Sequence, residues 1–175
     1  MPDPPIPSVV VVPPPLPADQ VPVPRRAQII GTGLIGGSIG LALRSQGWFV
    51  TGRDRDLAHA QRALEVEAID AIGMDPDAEI TFVAVPAHGL VEQVERALEH
   101  TSGIVTVTGS VKSVVAGAVD HPRFVPGHPM AGSEQDGVDG ADPAIFRGAV
   151  WVLTPNEDTD DGGLGVLQNV VTGFG

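Results

Sequence analysis

The chain has 175 residues, a formal net charge of −12 and no cysteine. That length suits one domain with a short arm, and 42% hydrophobic residues are enough for a packed core. The missing cysteines exclude disulfides, thiolate catalysis and Cys-ligated metal sites, and they fit a cytoplasmic chain. The acidity repels phosphodiester backbones, so nucleic-acid partners are not expected. No apolar run reaches the about 18 residues that a membrane span needs.

Residues 1–25 hold 10 of the 17 prolines, where a signal peptide would carry basic residues and an unbroken apolar stretch. Proline cannot donate to a helix or a sheet, so this segment reads as a disordered or polyproline-II arm. From Arg26 onward, residues 26–175, apolar runs alternate with helical stretches. Strands are predicted over Gln28–Ile30, Phe49–Gly52, Ile80–Val85, Ile104–Thr108, Arg123–Pro126 and Val150–Leu153. Helices are predicted over Gly36–Gln46, Leu57–Val66, Gly89–Glu99, Val111–Asp120 and Gly163–Val171. Near-continuous apolar strands alternating with helices predict an α/β fold of the Rossmann type: a doubly wound, mostly parallel sheet covered on both faces.

The first strand runs into Gly31-Thr32-Gly33-Leu34-Ile35-Gly36-Gly37, and a helical stretch follows. In a strand–glycine turn–helix unit the first glycine makes the turn, the second admits a pyrophosphate, and the third lets helix pack on strand. Phosphates then lie on the amides of the helix start, here Leu34, Ile35 and Gly36. Asp54 ends the next apolar run, at the spacing expected of a carboxylate that accepts a ribose 2′-hydroxyl. Arg53 and Arg55 flank it and suit a 2′-phosphate or an adenine face. The carboxylate should dominate, so the predicted cofactor is NAD, with NADP tolerated.

Ligands of such sheets bind beyond the strand C-termini. Val85 and Pro86 follow the third predicted strand, with His88 starting the next helix. Ser110, Lys112 and Ser113 follow the fourth. Ser110 is either a helix cap or a hydroxyl for the reacting oxygen or the nicotinamide carboxamide. Lys112, the single lysine, either holds an anion or faces solvent. His128 follows the fifth strand, between Gly127 and Pro129. An imidazole with an ordinary pKa of about 6.5 is available as a neutral base, so His128 is the candidate to accept a hydroxyl proton as hydride leaves carbon. Glu134 lies near the mouth and suits a gating or substrate-binding role. His59, His100 and His121 read as solvated, and no histidine pair has zinc-ligand spacing, so no metal is expected.

Three runs, in this order, carry a family resemblance: Gly33-Leu34-Ile35-Gly36-Gly37-Ser38, Thr108-Gly109-Ser110-Val111-Lys112 and Gly127-His128-Pro129-Met130-Ala131-Gly132-Ser133-Glu134. The chain from Arg26 on resembles the prephenate/arogenate dehydrogenases of tyrosine biosynthesis. The resemblance implies oxidative decarboxylation of prephenate or arogenate with hydride transfer to NAD(P). It gives His128 the hydroxyl proton, Ser110 a hydrogen bond to that hydroxyl and to the cofactor, and Glu134 the substrate entrance. It also implies a helical C-terminal domain that forms a homodimer and supplies basic residues for the substrate carboxylates. This chain ends where that domain should begin, so it is expected to be the cofactor-binding portion. The alternatives are another dehydrogenase on the same fold, of the β-hydroxyacid type, and a non-catalytic dinucleotide-binding module.

Overall fold

The computed structural model describes residues 23–109, 117–132 and 134–175. The predicted proline arm up to residue 22, together with Ser110, Lys112 and Ser113, lies outside those residues. Seven strands form one sheet: β1 (Arg26–Ile30), β2 (Phe49–Arg53), β3 (Ala71–Ile72), β4 (Ile80–Val83), β5 (Ile104–Val107), β6 (Phe124–Pro129) and β7 (Trp151–Leu153). Their order is β3-β2-β1-β4-β5-β6-β7. The pairings are parallel except that of β6 with β7, which is antiparallel. The chain winds outward from β1 to β3, then returns to the other side of β1 for β4. That reversal leaves a crevice between the carboxyl ends of β1 and β4.

Successive strand residues serve opposite faces, and both faces are packed. Ala27, Ile29, Ile80, Phe82, Ile104 and Val125 join one core, with α1 (Leu34–Ser45) and α4 (Asp161–Thr172) over it. Ile30, Val83, Val105, Val107 and Phe124 join the other, beneath α3 (Leu90–His100). Two-sided burial is why these strands read as apolar runs without alternation. α2 (Leu57–Glu65) packs beside β2 and β3. Its start is capped by Asp56, which accepts from Ala58 N–H at 2.9 Å, and α4 is capped by Asp160, which accepts from Gly163 N–H at 2.6 Å.

Several expected boundaries move, each for a physical reason. β3, two residues long, has too little sequence to show a period. β6 runs three residues beyond its predicted end, because β7 returns antiparallel and pairs Gly127 with Leu153, His128 with Val152 and Pro129 with Trp151. Histidine 128 therefore sits within a strand rather than in the loop after it. A 3-10 turn, Ala87–Gly89, precedes α3 and absorbs the predicted helix start. Of the predicted helix Val111–Asp120, residues 117–120 are turn and irregular chain. Arg25 belongs to the folded domain: it pairs with Glu79 at 2.8 Å and its guanidinium lies 4.1 Å from the Trp48 ring centroid.

The C-terminal carbonyls of α3 meet one side chain. Arg123, at the start of β6, donates to the carbonyls of Thr101 (2.7 Å), Gly103 (2.9 Å) and Leu98 (2.6 Å). A cation there satisfies orphan acceptors and opposes the negative end of the helix dipole. Replacing Arg123→Ala is expected to lower stability by about 2 kcal/mol, since hydrogen bonds to a charged group are worth about 1.5–3 kcal/mol each and this group is half exposed. Urea denaturation measures it; a change below about 0.5 kcal/mol would show that water replaces the guanidinium at no cost.

Candidate functional site

The glycine turn sits on the crevice between β1 and β4. Gly31 has φ +93°, and a methyl group on it would stand 2.5 Å from the Ala84 carbonyl oxygen. Its N–H donates to the Arg53 carbonyl at 2.8 Å, extending the β1–β2 pairing into the turn. A methyl on Gly36 would overlap the Gly31 carbonyl oxygen, so the helix backbone rests directly on the turn. Gly33 differs: among the described residues nothing lies within 4 Å of the place its side chain would take. It caps α1 without any side-chain acceptor, and no acidic residue occupies the first turn. Among the described residues, then, no side chain caps the first-turn amides of Leu34, Ile35 and Gly36. This cradle suits an anionic phosphate, and the positive end of the helix dipole reinforces it.

Asp54 stands just past β2, with 13% of its side chain exposed. Its Oδ2 accepts from Thr32 N–H at 2.9 Å, and its Oδ1 accepts from Asp56 N–H at 3.1 Å. The carboxylate therefore ties the glycine turn to the β2–α2 connection while keeping an exposed edge at the crevice. His59 flanks it, with Nδ1 3.6 Å from Asp54 Oδ1 and 65% of its side chain exposed, in keeping with its expected solvated position. Arg53 turns away from the carboxylate. Its guanidinium donates to Gln93 on α3, and burial together with the nearby Arg96 holds its pKa below the ordinary arginine value, partly offset by Glu92. Arg55 is exposed. Val85 is half buried, with Cγ1 3.0 Å from where a Gly31 side chain would begin, and Pro86 is exposed at the start of the 3-10 turn.

His128 lies on the same carboxyl edge, beyond the last β5–β6 pair, Val107 with Pro126. Its Nδ1 is 3.2 Å from the Thr108 carbonyl oxygen. A carbonyl can only accept, so Nδ1 carries the proton and donates, leaving Nε2 with a free lone pair in the neutral ring. A histidine held this way is equipped to take a proton. Glu134 is exposed. His88 is exposed in the 3-10 turn, in keeping with its expected place at a helix start. The sequence reading missed Thr108 as the partner that sets the His128 tautomer, Thr32 as the partner of Asp54, and Gln93 as the partner of Arg53. The Thr108 carbonyl and the Thr32 amide are backbone groups and leave no side-chain signature, and Gln93 is a side chain forty residues away in sequence. Among the described residues no group of three or more His, Asp or Glu could hold a metal ion.

Comparison with known proteins decides which Rossmann-type family this is. The family description "Prephenate dehydrogenase, nucleotide-binding domain" matches residues 39–175, well over half of the chain. The chain belongs to this family. The prephenate dehydrogenase of Bacillus subtilis is 33% identical over 161 residues, covering 83% of this chain and 43% of the relative. The cyclohexadienyl dehydrogenase of Zymomonas mobilis is 32% identical over 150 residues, covering 77% and 50%. The crystal structure of Synechocystis arogenate dehydrogenase superposes with a TM-score of 0.77 at 31% identity, over 86% of this chain and 57% of that one. The A. aeolicus prephenate dehydrogenase, solved with hydroxyphenyl propionate and NAD+, gives a TM-score of 0.80 at 25% identity, over 89% and 59%. The chain thus spans about half or less of the length of the curated relatives.

A prephenate dehydrogenase nucleotide-binding domain with this turn should distinguish its glycines by experiment. Gly31→Ala is expected to cost about 2–3 kcal/mol of stability, from the left-handed conformation and the clash with Ala84. Gly33→Ala should leave stability within about 1 kcal/mol, because its space is open. It should nevertheless weaken dinucleotide binding by at least about tenfold, because in glycine turns of this spacing the second glycine is where backbone is expected to approach a pyrophosphate. Thermal melts and calorimetric titration of both variants check this; equal phenotypes would refute the division of roles.

Proposed function

We propose that this chain binds NAD and forms the cofactor-binding half of a prephenate or arogenate dehydrogenase. Family membership and the NAD+ complex of the A. aeolicus relative support the cofactor class. The preference for NAD over NADP rests on Asp54: an anchored carboxylate beside the turn accepts from a 2′-hydroxyl and repels a 2′-phosphate. Arg53, drawn to Gln93, does little to offset that repulsion.

The observation that carries the activity is the Thr108–His128 hydrogen bond. NAD, when bound, supplies the acceptor for the hydride. Gly31, Gly33, Leu34, Ile35 and Gly36 hold the pyrophosphate, and Val85 and Pro86 shape the wall beside it. The lone pair of His128 Nε2 takes the ring-hydroxyl proton of the substrate, and Nδ1–H stays on the Thr108 carbonyl, which stabilises the imidazolium that forms. Ser110 donates to or accepts from the same hydroxyl, and Glu134 lines the entrance. Loss of carbon dioxide makes the ring aromatic, so positioning and proton removal are the main demands on the protein. A second, helical domain would supply cations for the substrate carboxylates and the homodimer contact. No helix of the described residues is long and apolar enough to cross a membrane; a cytoplasmic place suits a cysteine-free chain acting on diffusible small molecules.

Calorimetric titration of the chain with NAD and with NADP is the first test. NAD is expected to bind at least about tenfold more tightly than NADP. Equal affinities would remove Asp54 from the discrimination. His128→Asn should leave NAD affinity within about twofold. Assayed with a separately supplied helical domain, it should lower turnover of prephenate or arogenate by about 10²–10⁴-fold. Turnover within threefold of the unsubstituted protein, on the order of 0.7 kcal/mol, would show that another group takes the proton.

A further inference from the structure

The Asp54 carboxylate has a titratable neighbour in His59, which stands in the first turn of α2. Its Nδ1 lies 3.6 Å from Asp54 Oδ1 and its Nε2 4.0 Å from Asp56 Oδ2. Both distances are too long for hydrogen bonds and short enough for charges to act on each other. The imidazole thus faces two carboxylates, one on each nitrogen, and is itself largely exposed.

Asp54 is the opposite case. It is mostly buried, and both its oxygens are engaged, Oδ2 by Thr32 N–H and Oδ1 by Asp56 N–H. Burial and these bonds fix its place, so its effect on a nearby anion changes only through what stands beside it. The charged groups on the elements that meet here are Asp54 just past β2, Arg55 and Asp56 in the connection, Arg62 and Glu65 on α2, and Asp139 of the connection between β6 and β7. Arg62 is taken by Asp139 and Glu65, and Arg53 by Gln93 on α3. An arginine keeps its charge at every physiological pH, and a histidine does not.

We propose that His59 is a specificity-determining residue for the cofactor: its protonation state sets how strongly Asp54 repels a 2′-phosphate. This rests on the reading of Asp54 above. With the ring neutral, the carboxylate stands unopposed and NAD is preferred. With the ring protonated, a cation 3.6 Å from Asp54 offsets that charge and offers a 2′-phosphate an exposed partner. The exposure of the imidazole screens the pair, which holds the effect to about threefold in the affinity ratio.

The test is calorimetric titration with NAD and with NADP at about pH 5.5 and at about pH 8, which bracket the range where imidazoles change charge. The readout is the ratio of the two affinities, because groups beside the shared parts of the nucleotides cancel from it. A phosphate monoester takes up a proton near about pH 6, so His59→Gln measures the drift that remains without the imidazole. His59 is exposed, so substitutions there keep the fold. From about pH 8 to about pH 5.5 the preference for NAD should fall about threefold more in the unsubstituted chain than in His59→Gln. His59→Lys, a cation at both values, should show the lowered preference already at about pH 8. Equal drift in the unsubstituted chain and in His59→Gln would overturn the proposal and leave Asp54 as the discriminating group. So would a His59→Lys preference that matches the unsubstituted chain at about pH 8. Equal binding of the two nucleotides by the unsubstituted chain at that pH, or binding of neither, would overturn the reading of Asp54 and the role of His59 with it.

Discussion

Backbone lies against backbone at the β1–α1 turn, and the rest of the site depends on that approach. The Gly36 backbone rests on the Gly31 carbonyl, while Gly31 itself nests against Ala84 just past β4. Side chains at either place would lift α1 off the sheet. With the helix seated, its uncapped amino end points over the crevice between β1 and β4, and Gly33 leaves that space clear. That geometry suits an anion, and the turn itself, Gly31-Thr32-Gly33-Leu34-Ile35-Gly36-Gly37, contains no lysine or arginine.

Around this seat the fold adds two ties. Asp54 bonds the Thr32 amide and so locks the turn to the end of β2. Ser38 bonds the Asp142 amide and so locks α1 to the connection between β6 and β7. Both are side chain-to-backbone bonds across long stretches of sequence, and both are sheltered from water, where such bonds hold geometry most firmly. They tie Asp54 to the turn that leads into α1, and the connection between β6 and β7 to α1 itself.

The antiparallel turn of β7 has a chemical consequence. Pairing with β7 keeps Gly127, His128 and Pro129 in extended backbone beyond the end of β5. The imidazole is thereby carried past the last parallel pair to the Thr108 carbonyl. Behind it, Phe82, Phe146, Trp151 and Phe174 stack with ring centroids 5.4–6.2 Å apart, which packs β7 against the α1 and α4 layer.

The alternation of apolar runs with helical stretches was legible because two-sided burial leaves a continuous apolar imprint on each strand, as at Ile29–Ile30 and Phe82–Val83. The glycine turn was legible because its spacing is a direct record of steric need. The reach of β6 was not, since it depends on a partner strand over twenty residues away that contributes only backbone hydrogen bonds. The two-residue β3 was too short to show a period. Arg53 illustrates the same limit at the site: its type and place suggested a cofactor contact, but Gln93, forty residues on, decides where it points. The layer architecture, the glycine turn and the residue types along the carboxyl edge follow from local sterics and burial, so the order of residues carries them. Tertiary structure alone decided the tautomer of His128, the anchoring of Asp54 and the seat of the connection between β6 and β7. Each of these hangs on a backbone amide or carbonyl, a group that every residue carries and no sequence can mark.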